Sequence, residues 1–236
     1  MIDSRLAPTP MISARVEEAL TRPINVIARL FAHVSPNVLT IIGLIGNGVA
    51  CAIFSLAGGK DYAAGTYYTN AHLMRVAGVV TLVAAIFDML DGRVARMRGR
   101  ESTFGAYLDS TMDRYSDMLL YMGLMILYAR LDKTPHMVLV WVAAFGSFMT
   151  SYARARAESL ISKCSVGFME RPERIVALIL GALTNRMSAV LWIIAILSNL
   201  TALQRIVYTL VELRRGWPRV VGDAAPAEAA PLQKAR

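Results

Sequence analysis

Four aspartates constrain the fold of this chain most strongly, because they flank one short polar stretch between two long apolar segments. Asp88 and Asp91 are spaced i,i+3, and Asp109 and Asp113 are spaced i,i+4. Either spacing places both carboxylates of a pair on one face of a helix. If the two helices are antiparallel neighbours joined by residues 93–103, all four carboxylates converge.

Such a convergence of acids beside apolar segments predicts a divalent-cation site. Ionised groups at membrane depth are costly, and those that occur there usually face the interior of a helix bundle. Carboxylate oxygens are hard ligands that suit Mg²⁺ or a similar cation, which in turn suits phosphate chemistry. We therefore expect the four aspartates to hold such a cation, with Mg²⁺ first and Mn²⁺ as the alternative.

The composition places the chain among membrane proteins. Of its 236 residues 56% are hydrophobic, and the formal net charge is +8. A chain this apolar exceeds the usual range of soluble domains. The excess of basic residues fits cytoplasmic loops beside an anionic lipid surface, and it lacks the interleaved aromatic residues of a nucleic-acid surface. We expect an integral membrane protein with membrane lipids, and no nucleic acid, among its partners.

We expect an all-α, polytopic fold with about six transmembrane helices, each of which needs roughly 20 mostly apolar residues. The six predicted spans cover residues 36–58, 72–90, 104–131, 135–151, 175–183 and 187–210. The fifth is short and crosses the membrane only if its Arg174 end lies at the interface. Residues 58–70, between the first two spans, are expected to form a polar loop.

Two flanking segments complete the predicted organisation. Residues 1–34 form an N-terminal segment in which apolar residues recur at helical spacing between charged ones, and this pattern predicts a juxtamembrane amphipathic helix over 11–33. Residues 35–215 form one membrane domain. Residues 216–236 are rich in alanine and proline, which predicts a mobile tail.

The distribution of basic residues predicts the orientation in the cell membrane. Three segments with clustered arginines fall on one side of the predicted topology, at residues 93–100, 154–174 and 214–215. The loops on the opposite side carry fewer basic residues. Because positively charged loops stay in the cytoplasm, the aspartates and both termini are expected to face that compartment.

The aspartates belong to a longer pattern, which reads Asp-x-x-Asp-Gly-x-x-Ala-Arg, eight residues, and Gly-x-x-x-Asp-x-x-x-Asp. This pattern resembles the signature of the CDP-alcohol phosphatidyltransferase family. Its fixed positions are all filled, by Asp88, Asp91, Gly92, Ala95, Arg96, Gly105, Asp109 and Asp113. The resemblance implies that residues 35–215 are a CDP-alcohol phosphotransferase membrane domain. It also implies an Mg²⁺-dependent transferase that uses CDP-diacylglycerol, with Asp113 as both metal ligand and general base.

The same resemblance implies a set of contacts to the CDP-activated lipid. It places the Pro-Asn-x-x-Thr turn at the start of the first span against the nucleotide. Gly92 of the motif leaves room for close approach of the nucleotide, and Arg96 of the motif can bind a phosphate through two N–H groups. The residues expected to contact the CDP-lipid are Pro36, Asn37, Thr40, Gly92, Arg96 and Ser102.

A group of arginines on the same side predicts a pocket for a phosphorylated acceptor. An arginine inside a membrane helix is costly without an anionic partner, and a phosphate is a natural one. The alternative is that these arginines only anchor the protein at an anionic membrane surface. The predicted acceptor-phosphate residues are Arg154, Arg171, Arg174 and Arg205. Asp117, which continues the i+4 row of acids, is expected to be structural.

The segments around these arginines narrow the resemblance. Ser-Tyr-x-Arg-Ala-Arg-Ala-Glu from residue 151 and Gly-Phe-x-Glu-Arg-Pro-Glu-Arg from residue 167 resemble the phosphatidylinositol phosphate synthases within the family. This implies inositol phosphate as the acceptor, CMP as the leaving group, phosphatidylinositol phosphate as the product, and a homodimer. Glycerol 3-phosphate as the acceptor, which gives phosphatidylglycerol phosphate, and a metal-dependent CDP-lipid hydrolase stay open as alternatives. An ether-lipid donor is equally compatible.

Overall fold

The structure is a computed structural model, and it describes residues 28–31, 33–99 and 102–215. Most of the predicted amphipathic helix and the whole predicted tail lie outside the described residues. Of that N-terminal segment, residues 28–30 are helical. Ala28 is buried in a small apolar cluster, and the ring of Phe31 meets that of Phe87 edge-on at 5.7 Å.

Six long helices form the described part of the chain, one at each predicted span. They are α1 Pro36–Leu56, α2 Ala71–Met97, α3 Thr103–Arg130, α4 Thr134–Glu158, α5 Arg171–Leu183 and α6 Met187–Arg214. Proline lies in the first turn of α1, α4 and α5, where its missing N–H costs no helical hydrogen bond. Asn70 caps α2 by accepting hydrogen bonds from the backbone N–H groups of His72 and Leu73.

Among the described residues, four helices are long and apolar enough to cross a membrane, namely α1, α2, α4 and α6. The first 15 residues of α3 include four charged ones, Asp109, Asp113, Arg114 and Asp117, which lower its hydropathy. The 13 residues of α5 extend over about 20 Å, less than the roughly 30 Å of a bilayer core. Membrane crossing by α3 and α5 therefore stays a prediction.

The segment between α1 and α2 forms a β-hairpin where a polar loop was predicted, so the mostly helical described chain includes one two-stranded sheet. Strand β1, Gly58–Asp61, pairs antiparallel with β2, Thr66–Thr69. The second strand reads Thr-Tyr-Tyr-Thr, residue types that favour strands. Asp61 accepts hydrogen bonds from two backbone N–H groups of the turn, and Gly65 adopts a φ of 68°.

Helix α2 continues beyond the predicted end of its span to Met97. The residues after Asp91 include no proline, and Gly99, with a φ of 58°, is the first strong helix-ending residue. Asp88 and Asp91 therefore lie inside a continuous helix, and the connection to α3 is shorter than the predicted 93–103.

The main apolar core lies between α1, α3, α4, α5 and α6, with part of α2 packed against them. Close approach of α1 and α3 depends on Gly123. A Cβ atom at this position would lie 2.7 Å from the carbonyl oxygen of Cys51 and 2.8 Å from its Cα. Both are backbone atoms of a neighbouring helix, which cannot move aside without shifting that helix.

We expect Gly123→Ala to destabilise the fold, because the added methyl group forces α1 and α3 apart. Overpacking of this kind costs about 1–3 kcal/mol. The measurement is the midpoint of thermal unfolding of the purified protein in detergent. Gly48→Ala is the matched control on α1, since a Cβ there meets nothing within 4 Å. Equal midpoints for the two variants would contradict the expectation.

Candidate functional site

Side-chain contacts bring one end of every long helix together on the same side of the bundle. Thr40, near the start of α1, contacts Asp91 in the last third of α2 at 2.5 Å. Arg171, the first residue of α5, contacts Asp88 of α2 at 2.7 Å. The arrangement follows from antiparallel packing of successive helices, and it gathers residues that are far apart in the sequence.

Asp91 is held by two donors and is almost completely buried. Its Oδ2 accepts a hydrogen bond from the Thr40 hydroxyl, and its Oδ1 accepts one from the Gly92 backbone N–H, each at 2.5 Å. Thr40 also lies 3.2 Å from the Pro36 carbonyl oxygen. Thr40 therefore orients the Asp91 carboxylate through its hydroxyl, and its predicted contact with the nucleotide stays a prediction.

Arg171 joins the acids of α2 and α3 through all three of its guanidinium nitrogens. Its Nη2 lies 2.7 Å from Asp88 Oδ2, and its Nη1 lies 2.8 Å from Asp113 Oδ1. Its Nε lies 3.3 Å from Asp117 Oδ1. Two of the predicted metal ligands thus converge on one cationic group, which belongs to a residue that was predicted to bind phosphate.

Asp117 and Arg174 form a buried ion pair beneath this group, with 2.9 Å between Oδ2 and Nη2. The Arg174 side chain is only 1% exposed. Its Nη1 also donates to the carbonyl oxygen of Met169. The geometry agrees with the structural role expected for Asp117. It also places Arg174, a predicted phosphate ligand, among buried partners.

A polar pocket of about 180 Å³ opens beside Asp113. It is lined by Asp113, Arg114, Thr150, Ser151, Arg154, Glu170, Arg171, Pro172 and Arg205. Three of the four predicted acceptor-phosphate residues are in this set, and Arg174 is not. Among the four aspartates of the motif, Asp113 is the one that lines this pocket.

Glu170 is the functional residue that sequence reasoning missed. Its Oε1 accepts hydrogen bonds from Arg205 at 2.8 Å and from Arg154 at 3.2 Å, so one carboxylate joins α4 and α6. Arg154 also contacts Glu158, one turn further along α4, at 3.0 Å. The available signal was an acid directly before the Arg-Pro pair that begins α5, at the N-cap position.

Arg205 holds the end of the segment between α4 and α5. Its Nε donates to the Val166 carbonyl at 2.9 Å, and its Nη1 donates to the Thr150 carbonyl at 2.8 Å. With Glu170 on Nη2, every nitrogen of this guanidinium has a protein partner, and the side chain is 2% exposed. Arg205 reaches the pocket, but most of its hydrogen-bonding capacity supports the pocket wall.

A second set of hydrogen bonds joins the segment between α4 and α5 to α6. The Thr201 hydroxyl accepts hydrogen bonds from the backbone N–H groups of Phe168 and Met169, each at 3.2 Å. Cys164 is fully buried nearby, and burial raises the pKa of its thiol although the charge of Arg205 opposes this. The segment therefore forms a fixed wall of the pocket.

The residues predicted to contact the CDP-lipid lie at the same end. Ser102 caps α3, because its Oγ accepts a hydrogen bond from the Gly105 backbone N–H at 2.9 Å. Arg96 is exposed and donates to the Gly92 carbonyl. Space remains open at Gly92, where the tip of Arg96 is the nearest group to an added Cβ, at 3.9 Å. Asn37 is exposed at the start of α1 and lies near Gly105.

The donor set fits a hard divalent cation, although the described residues include no group of three or more His, Cys, Asp or Glu side chains arranged to hold a metal as they stand. Asp88 and Asp113 already share one cationic partner, the Arg171 guanidinium. Asp109 lies one turn before Asp113, and the charges of Arg171 and Arg114 act on it. Carboxylates from two helices are the ligand type that Mg²⁺ and Mn²⁺ prefer. The four-aspartate metal site stays a prediction that these residues fit.

Comparison with known sequences gives one family and a consistent set of relatives. The model of the CDP-alcohol phosphatidyltransferase family matches residues 33–213. Archaetidylinositol phosphate synthase of Methanothermobacter thermautotrophicus is 37% identical over 179 residues, which cover 73% of this chain and 83% of that protein. Phosphatidylinositol phosphate synthase of Mycobacterium tuberculosis is 32% identical over 214 residues, which cover 85% of this chain and 90% of that protein.

Solved structures agree with the sequence relatives. The crystal structure of Mycobacterium tuberculosis phosphatidylinositol phosphate synthase with CDP-DAG bound aligns with a TM-score of 0.67 at 29% identity, covering 80% of this chain and 94% of that chain. The structure of that enzyme in complex with manganese and citrate gives a TM-score of 0.68 and covers 79% of this chain and 88% of that chain. The fold thus has a structural counterpart in that enzyme.

Proposed function

Because the chain belongs to the CDP-alcohol phosphatidyltransferase family, we propose that it transfers the phosphatidyl group of CDP-diacylglycerol to a hydroxyl of inositol phosphate. The products are CMP and phosphatidylinositol phosphate. The observation that carries this assignment is the arginine-lined pocket beside Asp113. It offers charge for an acceptor phosphate next to a carboxylate that can take a proton. The relatives named archaetidylinositol phosphate synthase and phosphatidylinositol phosphate synthase support the choice.

The proposed reaction is a direct displacement at phosphorus. The acceptor hydroxyl oxygen forms a bond to the β-phosphorus of the CDP-lipid, and the bond from that phosphorus to the CMP oxygen breaks. The hydroxyl proton passes to a carboxylate oxygen of Asp113, which acts as general base, and CMP leaves with the bonding electron pair. Asp113 suits this role because it alone among the motif aspartates lines the described acceptor pocket.

Mg²⁺ or Mn²⁺ bound by Asp88, Asp91, Asp109 and Asp113 would neutralise the pyrophosphate oxygens and the charge on departing CMP. One of these carboxylates, that of Asp91, is already held in place by hydrogen bonds within the protein. The contacts from Thr40 and the Gly92 N–H fix both oxygens of Asp91, so its orientation is set by the protein. Manganese in a related synthase structure supports a divalent metal requirement.

Arg154 and Arg171 are the residues we assign to the acceptor phosphate. Arg154 is 39% exposed and Arg171 is 23% exposed, whereas Arg205 is 2% exposed and largely hydrogen-bonded to the protein. Glu170 holds Arg154 and Arg205 at a fixed spacing. A phosphate can therefore bind to Arg154 and Arg171 while the contacts of Arg205 that hold the pocket wall stay in place. Arg205 and Arg174 then support the site from beneath.

The arginines around the site also support the proposed orientation, with the pocket facing the cytoplasm. That side is where a CDP-activated lipid and a soluble sugar phosphate would both be available. We further propose that the protein works as a homodimer and that residues 35–215 contain the whole catalytic domain. Both proposals rest on the resemblance of the sequence to the family.

The acceptor assignment is tested by CMP release from CDP-diacylglycerol by the purified protein with Mg²⁺. Inositol 1-phosphate, free inositol and glycerol 3-phosphate are compared at equal concentration. We expect turnover with inositol 1-phosphate at least about tenfold above that with free inositol, since losing a charged hydrogen-bond partner costs about 1.5–3 kcal/mol. We also expect it to exceed turnover with glycerol 3-phosphate, which keeps the phosphate but lacks the inositol ring. Faster turnover with glycerol 3-phosphate would overturn the acceptor, and equal CMP release without any acceptor would indicate a hydrolase.

A further inference from the structure

Arg171 belongs to two sites at once. Its guanidinium contacts Asp88 and Asp113, two of the proposed metal ligands, at 2.7 and 2.8 Å. The same side chain lines the pocket that we assign to the acceptor phosphate. Each terminal nitrogen carries a second N–H, but three carboxylates already neutralise the charge of this one guanidinium, and they repel a phosphate placed beside them. The two sets of contacts therefore compete for this residue.

The surroundings of Arg171 allow its terminal nitrogens to leave the aspartates. It is 23% exposed on the pocket side, while the neighbouring Arg174 is 1% exposed. Asp117 contacts both arginines, so it keeps its buried partner Arg174 when Arg171 moves. Movement of Arg171 therefore leaves no buried charge uncompensated at Asp117.

Asp88 and Asp113 differ from Asp117 in this respect. Their side chains are 9% and 20% exposed, and among the described residues the salt bridge of each is the one with Arg171. Removing one partner of a poorly solvated ion pair is strongly unfavourable. These carboxylates consequently release Arg171 only when another cation replaces it, and their hard oxygens suit a divalent metal ion.

We propose that a divalent cation displaces Arg171 from Asp88 and Asp113, and that the released guanidinium becomes a ligand for the acceptor phosphate. This inference rests on the proposed function and adds a coupling between its two sites. Cation binding frees a phosphate ligand, and phosphate binding removes the competitor of the cation. By thermodynamic reciprocity, each ligand strengthens the binding of the other by the same factor.

The test measures Mn²⁺ binding to the full-length protein in detergent, from the electron paramagnetic resonance signal of free Mn²⁺. Titrations are run with and without saturating inositol 1-phosphate, and with inorganic phosphate as a simpler probe. Coupling energies between sites usually correspond to 5–150-fold. We expect inositol 1-phosphate to tighten Mn²⁺ binding by about tenfold in the wild-type protein.

Arg171→Gln separates competition from simple attraction between Mn²⁺ and phosphate. Without acceptor, this variant should bind Mn²⁺ about tenfold more tightly than the wild type, because the internal competitor is gone. Inositol 1-phosphate should then change its Mn²⁺ affinity by less than about twofold. If the variant does not fold, Arg171→Lys keeps the charge but contacts only one carboxylate at a time, and Mn²⁺ binding should still tighten by about threefold.

Arg114→Gln is the control for net charge. Arg114 also lines the pocket and acts on Asp109, but its Nη1 donates to the backbone carbonyl of Ser110 on its own helix. Its removal should shift Mn²⁺ affinity by less than about threefold. Equal tightening in Arg114→Gln and the Arg171 variants, or unchanged affinity in the latter, would overturn the proposal. CMP release by the wild type is measured separately, so failure of the coupling is distinguishable from failure of the proposed function.

Discussion

Replacing Asp113 by asparagine is expected to lower CMP release with inositol phosphate by about 10³-fold, within the 10²–10⁴-fold range of general-base catalysis. The amide cannot accept the proton of the attacking hydroxyl, and it supplies only one neutral oxygen as a ligand. Asp113 contacts Arg171 at 2.8 Å and lines the polar pocket, which is the position that the proposed general base requires. Initial rates at saturating CDP-diacylglycerol give the measurement.

Asp132→Asn is the matched control for this substitution. Asp132 is exposed in the turn between α3 and α4, at the opposite end of the bundle, and asparagine tolerates its φ of 55°. The control should retain wild-type turnover. If Asp113→Asn retains more than about a tenth of wild-type turnover, a group other than Asp113 takes the proton of the acceptor hydroxyl.

Arg174→Met is expected to have the largest effect on stability. Removing one partner of a buried ion pair costs about 3–5 kcal/mol, because the other charge stays buried. The contact between Arg171 and Asp117 moderates the loss, so we expect about 3 kcal/mol. At 2–4 °C per kcal/mol for a chain of this length, the unfolding midpoint falls by roughly 10 °C. Thermal unfolding in detergent gives this value.

Two further variants identify the cause of that loss. Arg156→Met removes an exposed arginine whose Nη1 contacts Ser159, and it should leave the midpoint nearly unchanged. The double variant Arg174→Met with Asp117→Leu removes both buried charges and should recover part of the lost stability. A double variant that is less stable than Arg174→Met alone would show that Asp117 matters chiefly through Arg171.

Local patterns in the sequence predicted the helices and the spacing of the aspartates along them. Apolar runs, with proline at the start of α1 and α4, located the start of each helix to within four residues, whereas α2 and α4 each continue seven residues beyond the predicted end of the span. The i,i+3 and i,i+4 spacing placed each pair of aspartates on one helical face. The convergence of Asp88 and Asp113 on Arg171 then supports the antiparallel arrangement inferred for α2 and α3.

The partners of the charged groups depend on helix crossings that no local pattern specifies. Thr40 meets Asp91 because α1 and α2 cross closely at Gly43, where an added Cβ would collide with Asp88. Nothing in the sequence distinguished Glu170 from the other charged residues, and its role follows from its contact with Arg205 in the fold. An arginine side chain reaches any of several acids, so its sequence position alone does not select a partner.

The double attachment of the segment before α5 has a consequence for the order in which the protein is assembled. Thr201 and Arg205, which fasten this segment, are on the last helix. Chains emerge and fold from the N-terminus, so the motif aspartates are synthesised before Thr201 and Arg205, which hold this wall of the pocket in place. During biosynthesis the segment that carries these aspartates is thus made first, and insertion of the last helix completes the wall of the pocket beside Asp113.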